Sequence, residues 1–365
     1  MKLGILALFF DDAPRGIGKS TGFLIREFSH LEGDYEILSP LIPNGANSEK
    51  FKRVSLALAP ARGRWGNVKR FFWQNFLLKF RNYRNVLSTS YESSLLYFGN
   101  QAFIIHDVIN LKFRDFRYPP LIKYYYNFQA PLVIKFGAKI VVPSNVVKGE
   151  ILEIYNVKEE DVGVVYWGID RDMYRFVEDK EVLKKYSLEP YGYILYVGDV
   201  IHRKNIQLII KALQFVKDKV LVIVGTQFKK VKNELGGLAN SLNVYQRVKF
   251  LGYVPDKELI ALYSQAFAFV YPSFIEGFGM PPLEAASCGT PVIVSDIPVF
   301  RELYSGYFLF VDPHNPEDLA EKLKGLEDED IRKNIKKGYE ELLKKYTWKN
   351  SAKTLHNILQ NWGLL

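Results

Sequence analysis

A chain of 365 residues is longer than one hydrophobic core usually organises, so two domains are expected, and a hydrophobic content of 48% with 15% aromatics can fill both. A single cysteine, Cys288, excludes an intrachain disulfide, and the five histidines never fall at zinc-ligand spacing, which points to a reduced, cytoplasmic setting. No apolar run reaches the ~18 residues that span a bilayer, and the charge of +9 is concentrated in one segment.

The first apolar run, LGILALFF, reads as a buried strand. The residues after it, APRGIGKS (13–20), fit a loose phosphate-binding loop with Ala in place of the first glycine. A triphosphatase would also need a magnesium-binding acid at a strand end, and Asp107 after FIIH is the lone candidate. Further strands are expected at YEIL (35–38), NVLST (85–89), AFIIHD (102–107), KIVVPS (139–144) and GVVYWG (163–168). Between Lys50 and Tyr91 lie ten cations and no acid: Lys50, Lys52, Arg53, Arg62, Arg64, Lys69, Arg70, Lys79, Arg81 and Arg84. Phe72, Phe76, Phe80 and Tyr83 recur there at helical spacing and are assigned to the core, leaving the cations as a solvated face or as a seat on anionic lipid.

The segment KEVLKKYSLEPY (180–191) carries charge and a proline and is taken as the linker. A second set of strands follows at YILYVGD (193–199), KVLVIVG (219–225), RVKFLGY (247–253), AFAFVYPS (266–273), PVIVSD (291–296) and YFLFVD (307–312). Short strands alternating with amphipathic helices are the grammar of parallel-sheet α/β domains. The tail places Trp348, Ala352, Leu355, Ile358 and Leu359 on one side of a helix, which therefore needs a surface to cover.

The most informative stretch is YPSFIEGFGMPPLEAASCGTPVIVSD (271–296). A strand runs into a glycine-bearing loop, Pro281 and Pro282 suit the first turn of a helix, and Gly289 suits its end. Backbone amides at that helix start, beside glycines that permit close approach, form an anion site. Glu276 in the loop and Glu284 in the first turn would repel an anion unless they accept hydroxyls, so a ligand with both phosphate and polyol fits.

Glu276 and Glu284, eight residues apart around GFGMPPL, resemble the paired glutamates of the retaining GT-B glycosyltransferases, the large glycogen synthase and mannosyltransferase-like class called glycosyl transferases group 1. GIGKSTGFLIREF, FIIHD, VPSNVVKGEILEIYNV, VVYWGID, YVGDVIHRKN, FLGYVPDKELIALYSQA and a tail with Trp348 extend the likeness over nearly the whole chain. The resemblance implies an α/β GT-B fold of two Rossmann-like parallel-sheet domains facing across a cleft. Residues 1–185 would bind the acceptor and 186–345 the sugar nucleotide, and the helix in 346–365 would pack back on the first domain. It implies transfer of a hexose from a UDP-, GDP- or ADP-linked donor to a glycan or lipid-linked acceptor, with retention, without metal and without a cofactor.

By the same resemblance Glu284 would bind the ribose, Glu276 with the amides of Phe278 and Gly279 the donor sugar, and the amides of Met280 and Leu283 the diphosphate. Arg203 and Lys204 would neutralise the leaving group, as developing oxyanion charge requires where no metal does so. His106 would face the sugar, Tyr253 and Val254 the base, and Gly16 and Gly18 would form a tight turn beside donor phosphate and acceptor, which displaces the triphosphatase reading.

Each role has a structural rival: solvated loop carboxylates for Glu276 and Glu284, helix-start cations for Arg203 and Lys204, a core histidine for His106. Asp170 and Asp172 match a metal-binding DxD in form, and a turn between domains is the competing assignment. Asp199, Trp167 and Arg15 depart from the pattern at positions where relatives have a neutral or basic residue, Asn and Gly. A catalytically silent GT-B protein, or an enzyme acting on a polyanionic acceptor such as nucleic acid, are the alternatives.

Overall fold

The computed structural model describes residues 2–12, 16–58, 64–78, 83–97, 99–112, 120–226 and 229–365. Ala13–Arg15 of the glycine loop, and Arg62, Lys79, Phe80 and Arg81 of the basic segment, lie outside the described residues, as does the side chain of Arg64.

The chain forms two compact units. The first comprises Met1–Gly168 with Tyr346–Leu365, and the second Ile169–Lys345. The first holds a seven-stranded sheet built from β1 (Leu3–Leu6), β2 (Tyr35–Ser39), β3 (Phe51–Arg53), β4 (Asn85–Ser88), β5 (Asn100–Ile104), β6 (Lys139–Val142) and β7 (Val162–Val164). Its order is β3-β2-β1-β4-β5-β6-β7, and every pairing is parallel. The second holds β8 (Tyr193–Val197), β9 (Val220–Val224), β10 (Val248–Gly252), β11 (Ala268–Tyr271), β12 (Val292–Ser295) and β13 (Leu309–Val311). Their order is β10-β9-β8-β11-β12-β13, again all parallel. Central strands covered on both faces read as continuous apolar runs, which is why VLVIV, YILYV and LGIL stand out in the sequence. Order reverses between β1 and β4 and between β8 and β11, the switch points where parallel sheets bind ligands outside their carboxyl ends.

All six strands expected in each half are present. The additional strand, β3, is three residues long, and its Lys52 and Arg53 are exposed at a sheet edge, so it carries no apolar signal. The crossing between units falls at Gly168 and Ile169, earlier than the linker expected at 180–191. Lys180–Lys185 is instead a helix of the second unit, capped by Asp179, whose side chain accepts from the Val182 amide, with Val182 and Leu183 buried. The proline of that segment marks the turn into β8 rather than a domain boundary.

The tail helix Trp348–Asn361 belongs to the first unit. Thr347 caps it by accepting from the Asn350 amide at 3.1 Å, and Trp348, Ala352, Leu355 and Leu359 are buried. Trp348 stacks on Phe23 of the helix Ile17–Phe28 (5.7 Å) and on Trp167 (5.9 Å). Gly168 passes so close to this helix start that a Cβ would lie 2.0 Å from the Trp348 nitrogen. Only glycine fits there.

The basic segment is not one solvated face. Arg70 is buried and pairs with buried Glu92, Nε to Oε2 at 3.0 Å and Nη2 to Oε1 at 3.1 Å, while its guanidinium lies 4.6 Å from the centre of the Phe9 ring. The expected lipid-facing role of Arg70 is therefore wrong: its charge is spent internally, against the first carboxylate that follows the acid-free run. Phe72 and Phe76, assigned to the core, are exposed.

The close approach at Gly168 yields a paired prediction. Gly168→Ala forces backbone apart and should lower the thermal midpoint, at a cost of about 1–3 kcal/mol or more. Gly149→Ala, in the exposed middle of the helix Asn145–Tyr155 with nothing within 4 Å, should raise it through helix propensity worth about 1 kcal/mol. Thermal unfolding monitored by circular dichroism checks both, and an unchanged midpoint for Gly168→Ala contradicts the packing described.

Candidate functional site

In the second unit the sequence HRKN folds as one 3-10 turn, His202–Lys204, ended by Asn205 in a left-handed conformation with φ of +53°. The buried Asn205 amide donates to the Pro313 carbonyl at 2.7 Å, and the Phe274 amide donates to the Arg203 carbonyl at 2.9 Å. These bonds fix the turn against the segment that follows β13 and the loop that follows β11, respectively. Consecutive cations thereby converge on one carboxylate: Lys204 Nζ donates to Glu276 Oε1 at 2.5 Å, and Arg203 Nη1 donates to the same oxygen at 3.2 Å and to the Ile275 carbonyl at 3.3 Å. Lys204 also donates to the Tyr271 hydroxyl.

All three charged side chains are largely withdrawn from solvent. Burial pushes the Lys204 ammonium down to about 8, with Glu276 and exposed Asp199 pulling upward and Arg203 reinforcing the depression. Burial acts to raise the Glu276 carboxyl, but the charges of Lys204 and Arg203 outweigh it and hold the group below the usual carboxylate range. Two cations thus meet one buried carboxylate, with Asp199 exposed nearby, and in this low-dielectric setting an anion brought beside the cations interacts with them strongly. Asp199, a departure from the family pattern, thus helps keep Lys204 protonated.

The loop after Glu276 is tethered through its carbonyls. Tyr304 donates its hydroxyl to the Gly279 carbonyl at 2.9 Å and the Phe278 carbonyl at 3.3 Å. Gly279, with φ of +88°, caps the helix Met280–Ser287, and a Cβ there would meet the Phe300 ring at 2.6 Å. Because Pro281 and Pro282 lack N–H groups, the helix start presents the amides of Met280 and Leu283 alone among its first four residues. The side chains of Phe278 and Leu283 are buried core, so these residues can meet a ligand through backbone. Glu284 stands in the second turn, not the first, since the helix begins ahead of the prolines. Its Oε2 accepts from Tyr263 at 2.9 Å, and Tyr174 hydrogen-bonds the same carboxyl.

Tyr253 is exposed just beyond β10, whereas the side chain of the neighbouring Val254 is buried. Gly16, Gly18 and His106 belong to the first unit. Gly16 is exposed and caps the helix Ile17–Phe28 with φ of +45°, and Gly18, the second helical residue, is buried. His106 Nε2 donates to the Thr89 carbonyl at 3.2 Å, so Nδ1 carries the lone pair. Burial pushes its pKa down to about 4, which keeps the ring neutral, and it lies 5.4 Å from Trp167. Asp170 is a turn residue: its Oδ1 accepts from the Met173 amide at 2.8 Å, and Asp172 is exposed. No metal-holding cluster of His, Cys, Asp or Glu occurs among the described residues.

Sequence reasoning missed the tyrosines. Tyr271 ends the apolar strand AFVY and is indistinguishable there from core, and Tyr263, Tyr174 and Tyr304 come from separate elements with no shared spacing. What unites them is a hydroxyl that meets Lys204, Glu284 or the carbonyls of Phe278 and Gly279.

The sequence profile of the family Glycosyl transferases group 1 matches residues 178–342, which hold Arg203, Lys204, Glu276 and Glu284. The O-antigen chain mannosyltransferase RfbU of Salmonella typhimurium is 34% identical over 253 residues, covering 69% of this chain and 67% of that protein. The O-antigen chain mannosyltransferase B of Escherichia coli is 31% identical over 222 residues, covering 59% of this chain and 58% of its own. In fold, the chain is similar to the Anabaena protein HepE, solved in complex with UDP and glucose, with a TM-score of 0.76 at 14% identity over 99% of this chain and 100% of that one. With two parallel Rossmann-like sheets and the paired glutamates in place, the chain belongs to the group 1 glycosyltransferases and has the GT-B fold.

Proposed function

We propose that the protein is a retaining, metal-independent hexosyltransferase that takes mannose from a nucleotide-linked donor and adds it to a glycan or lipid-linked acceptor. The observation that carries this reading is the buried convergence of Lys204 and Arg203 on Glu276. Mannose is favoured because two relatives above 30% identity are mannosyltransferases by name.

In this mechanism the diphosphate lies against the amides of Met280 and Leu283 and within reach of Lys204 and Arg203, and Glu284, oriented by Tyr263, accepts the ribose hydroxyls. Glu276 shares its charge between the cations and the sugar hydroxyls, with the backbone of Phe278 and Gly279 beside it. Tyr253 shields the base, next to the Val254 backbone. The anomeric carbon–oxygen bond breaks toward the β-phosphate, whose developing charge Lys204 and Arg203 stabilise without reorganising. The acceptor oxygen attacks from the same face and passes its proton to the departing phosphate oxygen. By the family resemblance, neutral His106 would accept a sugar hydroxyl, and Gly16 and Gly18 would leave room for the donor phosphate and acceptor.

Incubating the protein with individual nucleotide sugars and a mannoside acceptor, and reading the new linkage by proton NMR, tests the reading. An axial anomeric bond retained from a GDP- or UDP-linked α-hexose, formed undiminished in chelator, is expected. An inverted linkage, or strict dependence on manganese or magnesium, contradicts it.

Lys204→Ala should lower kcat by about two to three orders of magnitude, as loss of one fixed electrostatic group does. The wild-type rate should also depend on pH with a defined sign. The cation exists below its pKa, so kcat/KM should fall as pH rises through about 8. A flat alkaline profile removes Lys204 from the transition state.

Glu284→Ala should weaken donor and nucleoside diphosphate binding alike, since a charged acceptor's hydrogen bonds are worth about 1.5–3 kcal/mol. Glu276→Gln should instead reduce turnover far more than nucleoside diphosphate affinity. Titration calorimetry beside steady-state kinetics separates them, and equal losses in both variants contradict the division of labour.

A further inference from the structure

Two helical segments of the first unit have a patterning that the transferase site does not use. Arg64–Phe72 continues through a π-helical turn at Trp73–Leu77, and Pro120–Tyr124 continues through one at Tyr125–Gln129 into Ala130–Lys135. The first is inverted. Its buried side carries Arg70, Gln74 and Asn75, while Val68, Phe72 and Phe76, four residues apart, are exposed at 36%, 55% and 43%. The second is apolar on both sides. Tyr126, Ala130 and Val133 enter the core, and Phe128, Leu132 and Phe136, again four apart, are exposed at 63%, 44% and 81%. Aromatic contacts join the two: Phe72 packs on Phe71 at 5.8 Å, Phe71 on Tyr124 at 5.9 Å, and Tyr124 on Phe128 at 6.1 Å.

A water-facing helix normally presents its polar side outward. Here two neighbouring segments present large apolar side chains outward at one period, and one of them hides an arginine to do so. Contiguous exposed apolar surface of this kind marks a docking face.

The charges around it identify the occupant. Lys69, Lys123 and Lys135 are exposed along the same segments, and neither 64–78 nor 120–137 contains an acid. A second copy docked by two-fold symmetry would set lysine against lysine. An anionic bilayer instead complements these cations while its interfacial zone accepts the aromatic rings. We propose that the face formed by these two segments seats the protein on anionic phospholipid, with Phe72, Phe128 and Phe136 inserted at the interface and the three lysines over the headgroups. This narrows the seat expected from the run Lys50–Tyr91 to its helical segment 64–78, without the inward-facing Arg70, and adds the segment 120–137. The proposal is independent of which sugar is transferred.

Flotation of the full chain tests it, with vesicles of phosphatidylcholine alone and of phosphatidylcholine mixed with phosphatidylglycerol, at low and high salt. Wild type should float with the anionic vesicles and keep a bound fraction at high salt, because apolar insertion is not screened. The variant Phe72→Ser/Phe128→Ser/Phe136→Ser should lose at least about tenfold in partition coefficient, with its thermal midpoint and its rate on a water-soluble acceptor unchanged. Lys69→Ser/Lys123→Ser/Lys135→Ser should lose the preference for anionic vesicles and retain the salt-resistant fraction. Absence of flotation at low salt, or equal flotation of the phenylalanine variant, overturns the proposal. So does a wild-type dimer in sedimentation velocity that the phenylalanine variant abolishes while vesicles bind neither protein, which would assign the face to a second copy.

Discussion

The candidate site depends on one unusual arrangement: a lysine and a glutamate brought to 2.5 Å with almost no solvent, and an arginine on the same oxygen. Burying two charges costs several kcal/mol per ion after relaxation, and hydrophobic side chains of similar volume would usually serve stability as well or better. The surrounding structure nevertheless invests heavily in it. The αL turn at Asn205, its bond to Pro313, the Phe274–Arg203 backbone link and the Tyr271 hydroxyl all serve to place these ends, from elements separate in sequence. Such investment is intelligible if the cluster meets an anionic ligand. Departure of a nucleoside diphosphate generates negative charge on the atoms nearest the cations, where fixed positive groups stabilise it.

Much of this was legible before any coordinates. Short β-rich apolar runs alternating with amphipathic stretches identify buried parallel strands, and GFGMPPLEAASCG carries its own loop, helix start and helix end in its glycines and prolines. Three things were not legible, each for a physical reason. β3 pairs through its backbone with side chains that point to solvent, so composition is silent. The crossing at Gly168 is set by a contact with Trp348, far away in sequence, whereas the charged stretch at 180–191 merely imitates a linker because the exposed side of a capped helix looks the same. The tyrosines that hold Glu284 and the Gly279 loop are read from sequence as apolar mass, and only the fold reveals where their hydroxyls go.

The basic segment shows the opposite failure, where a pattern was visible and its sense was inverted. Helical spacing of Phe72 and Phe76 says that they share a face, not that the face is inward. Glu92, the first acid after the run, decides the matter by drawing Arg70 into the interior, with Gln74 donating to the same carboxylate at 3.2 Å. A helix that rotates its arginine inward must rotate its phenylalanines outward. Buried polar pairing in one layer thus creates apolar surface in the next, and a soluble protein tolerates such a surface when something else covers it.

The central claim is that Lys204 meets the donor diphosphate, and calorimetry of nucleoside diphosphate binding in buffers of different ionisation enthalpy tests it most directly. Near pH 8, where burial leaves Lys204 partly deprotonated, a second anion beside the ammonium must raise its pKa, so binding should take up protons. The account predicts a binding enthalpy that varies with buffer in the sense of proton uptake, and a loss of that dependence in Lys204→Met. Binding without proton uptake in the wild-type protein, or the same uptake in the variant, would contradict it.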